Sequence, residues 1–285
     1  MWDRNYLLSI TEFLEGKNGV RLLEEAFCKV DSERRSKAER MRTDRGKAAC
    51  LGAGLLLQLA VREAEGDCGS AGYREVPEKG VTEEKHCESV LPQQRMAEGS
   101  CGHNKSDLQT QEMAEDNEQR QAAQEAKCGL HRYSVSQLLK RISHPIPLAY
   151  QYGKNGKPYF REYPFYFNLS HSGDYVFCVL SLSEVGADIQ QQSNKDNERL
   201  AERFFSAQEI AVLQDCKEAK NVLFYQLWTR KEAYGKLTGE GIAATMGINF
   251  LPGAEQMVDG RKLVWEEYSE IAGYQLAVCR YAVHL

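Results

Sequence analysis

The amino-acid sequence predicts an α+β fold, on three observations. Stretches with apolar residues at helical intervals are interspersed with short aromatic and β-branched runs of alternating polarity. Both ends of the chain show this mixture, so each combines helices with antiparallel strands. Between them, over residues 64–132, Gly, Glu, Gln, Ser and Lys dominate and aromatics almost vanish. Such a stretch buries too little apolar surface to offset its ordering entropy, and is expected to be a flexible insertion. The chain is accordingly expected to divide into a first half, 1–184, carrying the insertion, and a second half, 185–285.

Composition excludes several classes. The 285 residues are 42% hydrophobic, enough for one or two domains with real cores. A net charge of -5 argues against general nucleic-acid binding, which wants a basic balance. The chain begins with no charged-then-apolar signal segment, and no run approaches about 18 apolar residues. The expectation is a cytoplasmic protein without a membrane span. Nine cysteines, an odd number without paired regular spacing, fit reduced thiols better than a disulfide framework.

Taken in order, residues 1–30 are expected to be mainly helical, from the intervals between Leu7, Leu8, Phe13, Leu14, Leu22 and Leu23. A basic tract follows, including Arg34, Lys37, Arg42 and Arg45, and leads into an apolar helix over 48–61. The tract reads either as a solvated helix face or as a phosphate-binding rim beside a buried helix. Within the insertion, 109–127 has helix-favouring composition. Cys68, Cys87, Cys101 and Cys128, with His86, His103 and His131, lack any CxxC pair, so scattered thiols are a better reading than zinc. Order returns with a short helix over 135–142, broken by Pro145 and Pro147. Gly153, Lys154, Asn155 and Gly156 then mark a turn. Two strands are expected on either side of Ser170-His171-Ser172, with those residues at the turn.

In the second half, Val185-Gly186-Ala187-Asp188 reads as a strand ending at the acid. A helix is expected over 197–205. Ser206 with Glu209 forms a capping-box pattern that opens another helix. A third helix, over 221–237, ends at Gly239 and Gly241. Strands are expected over 244–250, 262–268 and 274–283.

The chemistry lies in two acids and a group of cations. Glu232 and Lys236 are four residues apart on one helix face. An acid on the strand, Asp188, and an acid on the helix, Glu232, could share one hard cation, with Lys236 holding a phosphate one turn beyond. The plain alternative is that these are strand-end and helix-surface charges. A carboxylate-and-lysine site for some other diphosphate is a further alternative.

Four ordered motifs resemble those of the Sfp-type 4′-phosphopantetheinyl transferases. They are Asn168-Leu169-Ser170-His171-Ser172, Val185-Gly186-Ala187-Asp188-Ile189, Arg203-Phe204-Phe205-Ser206 and Trp228-Thr229-Arg230-Lys231-Glu232-Ala233. The last is similar to the W/KEA subgroup, and Gly156-Lys157-Pro158 matches an upstream motif. The resemblance covers residues 145–285 well and 30–62 weakly.

The resemblance implies a pseudo-dimer of two similar α/β halves with a cleft between them. The implied reaction moves the phosphopantetheine arm of coenzyme A to a serine of an apo acyl or peptidyl carrier protein. Adenosine 3′,5′-bisphosphate is released. By motif, Asp188, Gln190 and Glu232 would hold Mg2+, and Glu232, or a water it holds, would take the serine proton. Lys236 and His171 would contact coenzyme A phosphates and act in catalysis, with Lys157 and Ser170 near them. Arg34 and Lys37 would face the 3′-phosphate. The role of Lys231 is left open. Where family members often read Asp-x-Glu, this chain reads Asp188-Ile189-Gln190. The metal is therefore expected on two carboxylates, with an amide oxygen or a water beside them. A non-catalytic protein that binds coenzyme A or a carrier is the rival reading. Carrying both halves, the chain has no need to dimerise, and a monomer is expected.

Overall fold

The computed structural model describes residues 3–67, 129–195, 197–253 and 255–282. The expected α+β class holds: helices pack on two four-stranded sheets. The bulk of the expected insertion lies outside the described residues, with its helix-favouring stretch 109–127 and all its metal-ligand candidates except His131. His131 lies on a strand and packs its ring 5.5 Å from that of Tyr6.

The first sheet is built from β1 (Asp3–Ser9), β2 (Leu130–Tyr133), β5 (Tyr166–Ser172) and β6 (Tyr175–Ser181), in the order β2-β1-β6-β5. Here the structure corrects the helical expectation for the first residues. Chain 3–9 is a strand paired on both sides, parallel to β2 and antiparallel to β6. Its apolar residues are the three consecutive Tyr6, Leu7 and Leu8, all buried, and so short a run without alternation carries no strand period. Helix α1 (Gly16–Cys28) follows a 3-10 turn, and α2 (Ser32–Glu39) is capped by Asp31, whose side chain accepts from Arg34 N.

Helix α3 (Asp44–Asp67) crosses this sheet and extends into the stretch that the sequence assigned to the insertion. Every residue from 48 to 61 is buried, because the sheet lies on one side and α1, α2 and the short helix α4 (Val135–Arg141) lie on the others. Gln58 is the polar exception. It is fully buried and satisfied, donating to Ile146 O at 2.8 Å and accepting from Ile146 N at 2.7 Å. A small ribbon of β3 (Tyr150–Tyr152) and β4 (Pro158–Phe160) carries the expected turn between them.

The second sheet runs β7-β10-β9-β8, from β7 (Val185–Gln191), β8 (Met257–Val258), β9 (Arg261–Tyr268) and β10 (Tyr274–Tyr281). Helix α7 (Lys220–Thr238) lies across β7 and β10. Before it come α5 (Glu198–Phe204) and α6 (Ala207–Asp215). The capping box that opens α6 is present in both its hydrogen bonds. Gly239, at φ 76, ends α7 in the left-handed conformation expected of a glycine there. The strand expected over 244–250 is instead a 3-10 turn (Ile242–Thr245) and an irregular segment. Its groups bond to α6 and α7 rather than to a strand, as set out below.

The two sheets meet without a shared backbone ladder. Three side chains of β5 replace it. Asn168 Oδ1, Ser170 Oγ and Ser172 Oγ accept from the backbone N–H groups of Ala187, Ile189 and Gln191 at 3.1, 3.4 and 2.9 Å. Alternate residues of a strand face one way, so all three reach the same neighbour. This corrects two expectations. Ser170-His171-Ser172 lies within β5, with the turn at Gly173 and Asp174, and Asp188 lies in the middle of β7 rather than at its end.

Candidate active site

Strand β7 and helix α7 meet at a glycine. A Cβ on Gly186 would stand 2.0 Å from the Ala233 carbonyl oxygen and 2.3 Å from the Leu237 nitrogen. No side chain fits, so the helix lies directly on the strand. Two residues along the same strand face, Asp188 is buried against the helix. Its Oδ1 accepts from Lys236 Nζ and from Ser170 Oγ, both at 2.7 Å, and Lys236 Nζ also donates to Ser170 Oγ at 2.8 Å. Its Oδ2 is buried without a hydrogen-bond partner among the described residues. Gln190 follows on the same strand face and is half-buried.

Glu232 stands one turn before Lys236 and is half-buried. Burial, then the charge of Asp188, raises its carboxyl pKa above the usual range, and Lys236 opposes the shift. The two acids thus feel each other across the Gly186 contact.

Beside this cluster lies a pocket of about 540 Å³ walled by both parts of the chain. Arg34, Lys37, Lys157, Ser170, His171 and Lys236, all singled out from the sequence, line it. Arg34 and Lys37 lie on α2, which approaches α3 at Gly54. A Cβ there would stand 2.7 Å from Arg34 Cγ and from Val30. His171 faces the opposite side of β5 from Ser170. Burial, then the ammonium charges of Lys236 and Lys37, lowers its pKa below that of free imidazole. The field in the pocket is therefore positive and suits a phosphate-bearing ligand.

Lys157, expected near the coenzyme A phosphates, lines the pocket but spends its ammonium on backbone carbonyls. It is buried, and its Nζ donates to Leu237 O at 2.7 Å and Val185 O at 3.3 Å. It thus closes the last turn of α7 onto the start of β7, and burial lowers its pKa to about 8. Sequence reasoning missed other walls of the pocket. Ala49, Cys50 and Ala53 of α3 leave room on one helix face, and Glu240 sits between Gly239 and Gly241 at the rim. The small residues spaced along α3 were the available signal.

Among the described residues, no group of three or more His, Cys, Asp or Glu side chains is placed to hold a metal ion. The donors still fit a hard cation that keeps water and takes ligand oxygens. Asp188 offers a buried unpartnered carboxylate oxygen, and Glu232 is a half-buried carboxylate whose pKa is raised by burial and by the charge of Asp188, a repulsion that a cation would relieve.

The model of the 4′-phosphopantetheinyl transferase superfamily matches residues 184–279, which include Asp188, Glu232 and Lys236. A 4′-phosphopantetheinyl transferase of Bacillus pumilus is 40% identical over 160 residues, covering 50% of this chain and 67% of the relative. This chain belongs to the 4′-phosphopantetheinyl transferases. A putative member from Synechocystis is 37% identical over 151 residues, 50% of this chain and 60% of its own length. One from Nostoc is 38% identical over 106 residues, 35% of this chain and 45% of its own. The chain thus spans about two thirds of the first of these transferases and less of the other two. The basic residues of α2 and β5 lie outside the stretch that the superfamily model matches. Among the described residues of this family member, no helix is long and apolar enough to cross a membrane.

Proposed function

We propose that the chain transfers the phosphopantetheine arm of coenzyme A to a serine hydroxyl of an apo acyl or peptidyl carrier protein. The observation that carries this is Asp188. Its buried, unpartnered oxygen belongs to the cluster with Ser170 and Lys236, which both line the positively charged pocket, and its charge reaches Glu232. The architecture is read as a pseudo-dimer, 1–184 and 185–285, with coenzyme A in the cleft. Each half lays one long helix, α3 or α7, on a four-stranded sheet.

In this reading Arg34 and Lys37 bind the 3′-phosphate, His171 and Ser170 bind the diphosphate, and Lys157 shapes the floor beneath it. Asp188 and Glu232, with Gln190 or a water beside them, hold Mg2+. When bound, the ion would draw charge from the diphosphate oxygens. Glu232 accepts the serine proton, directly or through a water, at a raised pKa suited to a general base. The serine Oγ–phosphorus bond forms as the bond to adenosine 3′,5′-bisphosphate breaks. Lys236 neutralises charge on the departing phosphate. The expected setting is a cytoplasmic monomer that binds no nucleic acid or membrane.

The test is mass spectrometry of apo carrier proteins incubated with the chain, coenzyme A and Mg2+. The carrier should gain the mass of the phosphopantetheine arm. No gain across fatty-acid, polyketide and peptide-synthetase carriers would sink the reading. Tight coenzyme A binding without turnover would establish the non-catalytic rival instead.

A further inference from the structure

Lys231 sits next to Glu232, and a lysine there invites reading as a substrate contact. Its surroundings exclude that. The side chain is fully buried. Nζ stands 3.0 Å from Glu209 Oε2, donates to Ile248 O at 2.9 Å and donates to Thr245 O at 3.3 Å. An ammonium has three N–H groups, so none remains for a ligand. The rings of Phe250 and Phe205 cover it, with centroids at 4.9 and 5.4 Å.

Glu209 is equally buried and equally occupied. Its Oε2 accepts from Ser206 N at 2.6 Å, which caps α6, and its Oε1 accepts from Phe250 N at 2.8 Å. Phe250 O in turn accepts from Arg230 Nη1 at 2.8 Å. One ion pair thereby fastens the start of α6, the middle of α7 and the segment 245–250. That segment continues the loop whose head, Gly239 to Gly241, walls the pocket. The loop head lies on α7 so closely that a Cβ on Gly235 would stand 2.5 Å from the Gly241 carbonyl carbon.

We propose that Lys231 and Glu209 form a positioning pair. By tying α7 to α6 and to segment 245–250, they fix the rotation of α7 and so aim Glu232 and Lys236. They also hold the pocket wall, and neither residue touches the reacting groups. The kinetic consequence rests on the transferase reading above; the geometry does not.

The test compares Lys231→Met, Glu209→Gln and the double variant. Lys231→Met leaves a carboxylate buried without its counter-charge. It is expected to lower kcat roughly 10- to 100-fold, since a shift of about 1 Å in an acid or base suffices. KM for coenzyme A should stay within about threefold, because Arg34, Lys37 and His171 are untouched. Because a loss of folded protein would also lower apparent kcat at unchanged KM, kcat is to be expressed per folded enzyme, with the folded fraction measured by circular dichroism. The double variant removes both charges and should recover kcat to within about fivefold of the parent. Hydrogen exchange gives a readout free of activity: protection over 239–250 should fall in Lys231→Met and return in the double variant.

A folded double variant as slow as Lys231→Met overturns the proposal, since the loss would then not come from the broken pairing with Glu209. If Lys231→Met does not fold, Glu209→Gln must show the same kcat-selective loss, and an unchanged kcat overturns the pairing. If the parent modifies no carrier, the transferase reading fails. Hydrogen exchange then judges the pair alone, and unchanged protection over 239–250 in the single variants would refute it.

Discussion

Two long helices cross the two sheets, and they are buried in opposite ways. Helix α3 is enclosed through 48–61 by apolar side chains, with Gln58 answered by a single backbone unit. Helix α7 is enclosed less completely, yet Thr229, Arg230 and Lys231 are among its buried residues. The contacts of an apolar helix are held by packing and have no preferred direction. A helix buried through charges is held in direction as well, because each charge requires its own partner at hydrogen-bonding distance. The difference teaches where geometry is held. Helix α3 supplies stability and an inert wall, and α7 supplies a fixed register on which acids can be aimed.

Substitutions should separate the two roles. The largest effect is expected from α7 and its strand. Glu232→Ala should lower carrier modification by about 10²- to 10⁴-fold, and Asp188→Ala by at least as much, with folding retained by circular dichroism. Near-parental turnover in either variant would remove that residue from the site. Helix α3 should behave inversely. Leu55→Ala, at a fully buried position, should cost about 2–5 kcal/mol of stability in denaturant unfolding, with kcat nearly unchanged below the transition. A kcat loss without a stability loss would break the contrast. At the rim, Lys37→Ala should weaken coenzyme A binding severalfold in calorimetry and leave kcat close to parental.

The smallest effect sharpens the comparison most. The folded-state pKa of Glu232 lies above its ordinary value. Without divalent cations, the folded chain is therefore penalised by this charge at any pH above both values. Glu232→Gln should raise the unfolding temperature modestly at neutral pH. The gain should fade as pH falls below the ordinary carboxylate range, where both states are already protonated. A variant destabilised at neutral pH would show that the carboxylate is structural.

Much of this was legible in the chain. Helix α3, the α6 capping box and the span of α7 follow from period and caps alone, because each is a local signal. The joint position of Ser170, Asp188 and Lys236 was legible only through the motifs, since nothing in spacing brings three separate elements together. Strand β1 was misread because a central strand buried on both faces has no polarity alternation. Segment 245–250 was misread because its backbone is satisfied by Glu209, Arg230 and Lys231 instead of a strand. Glu209 itself read as a local cap, and its second partner on α7 was invisible without the fold. The same holds for Asn168 and Ser172, whose acceptor roles exist only once β7 lies alongside β5.

That side-chain seam has a consequence of a different kind. β7 is the terminal strand of its sheet, and an unpaired strand edge is a template for joining another chain. Here the outward N–H groups of Ala187, Ile189 and Gln191 are taken by Asn168, Ser170 and Ser172, and the Val185 carbonyl by Lys157. No incoming strand finds those groups free. The residues that bring the two sheets together also guard the molecule against edge-to-edge aggregation, so their loss should show first as poor solubility.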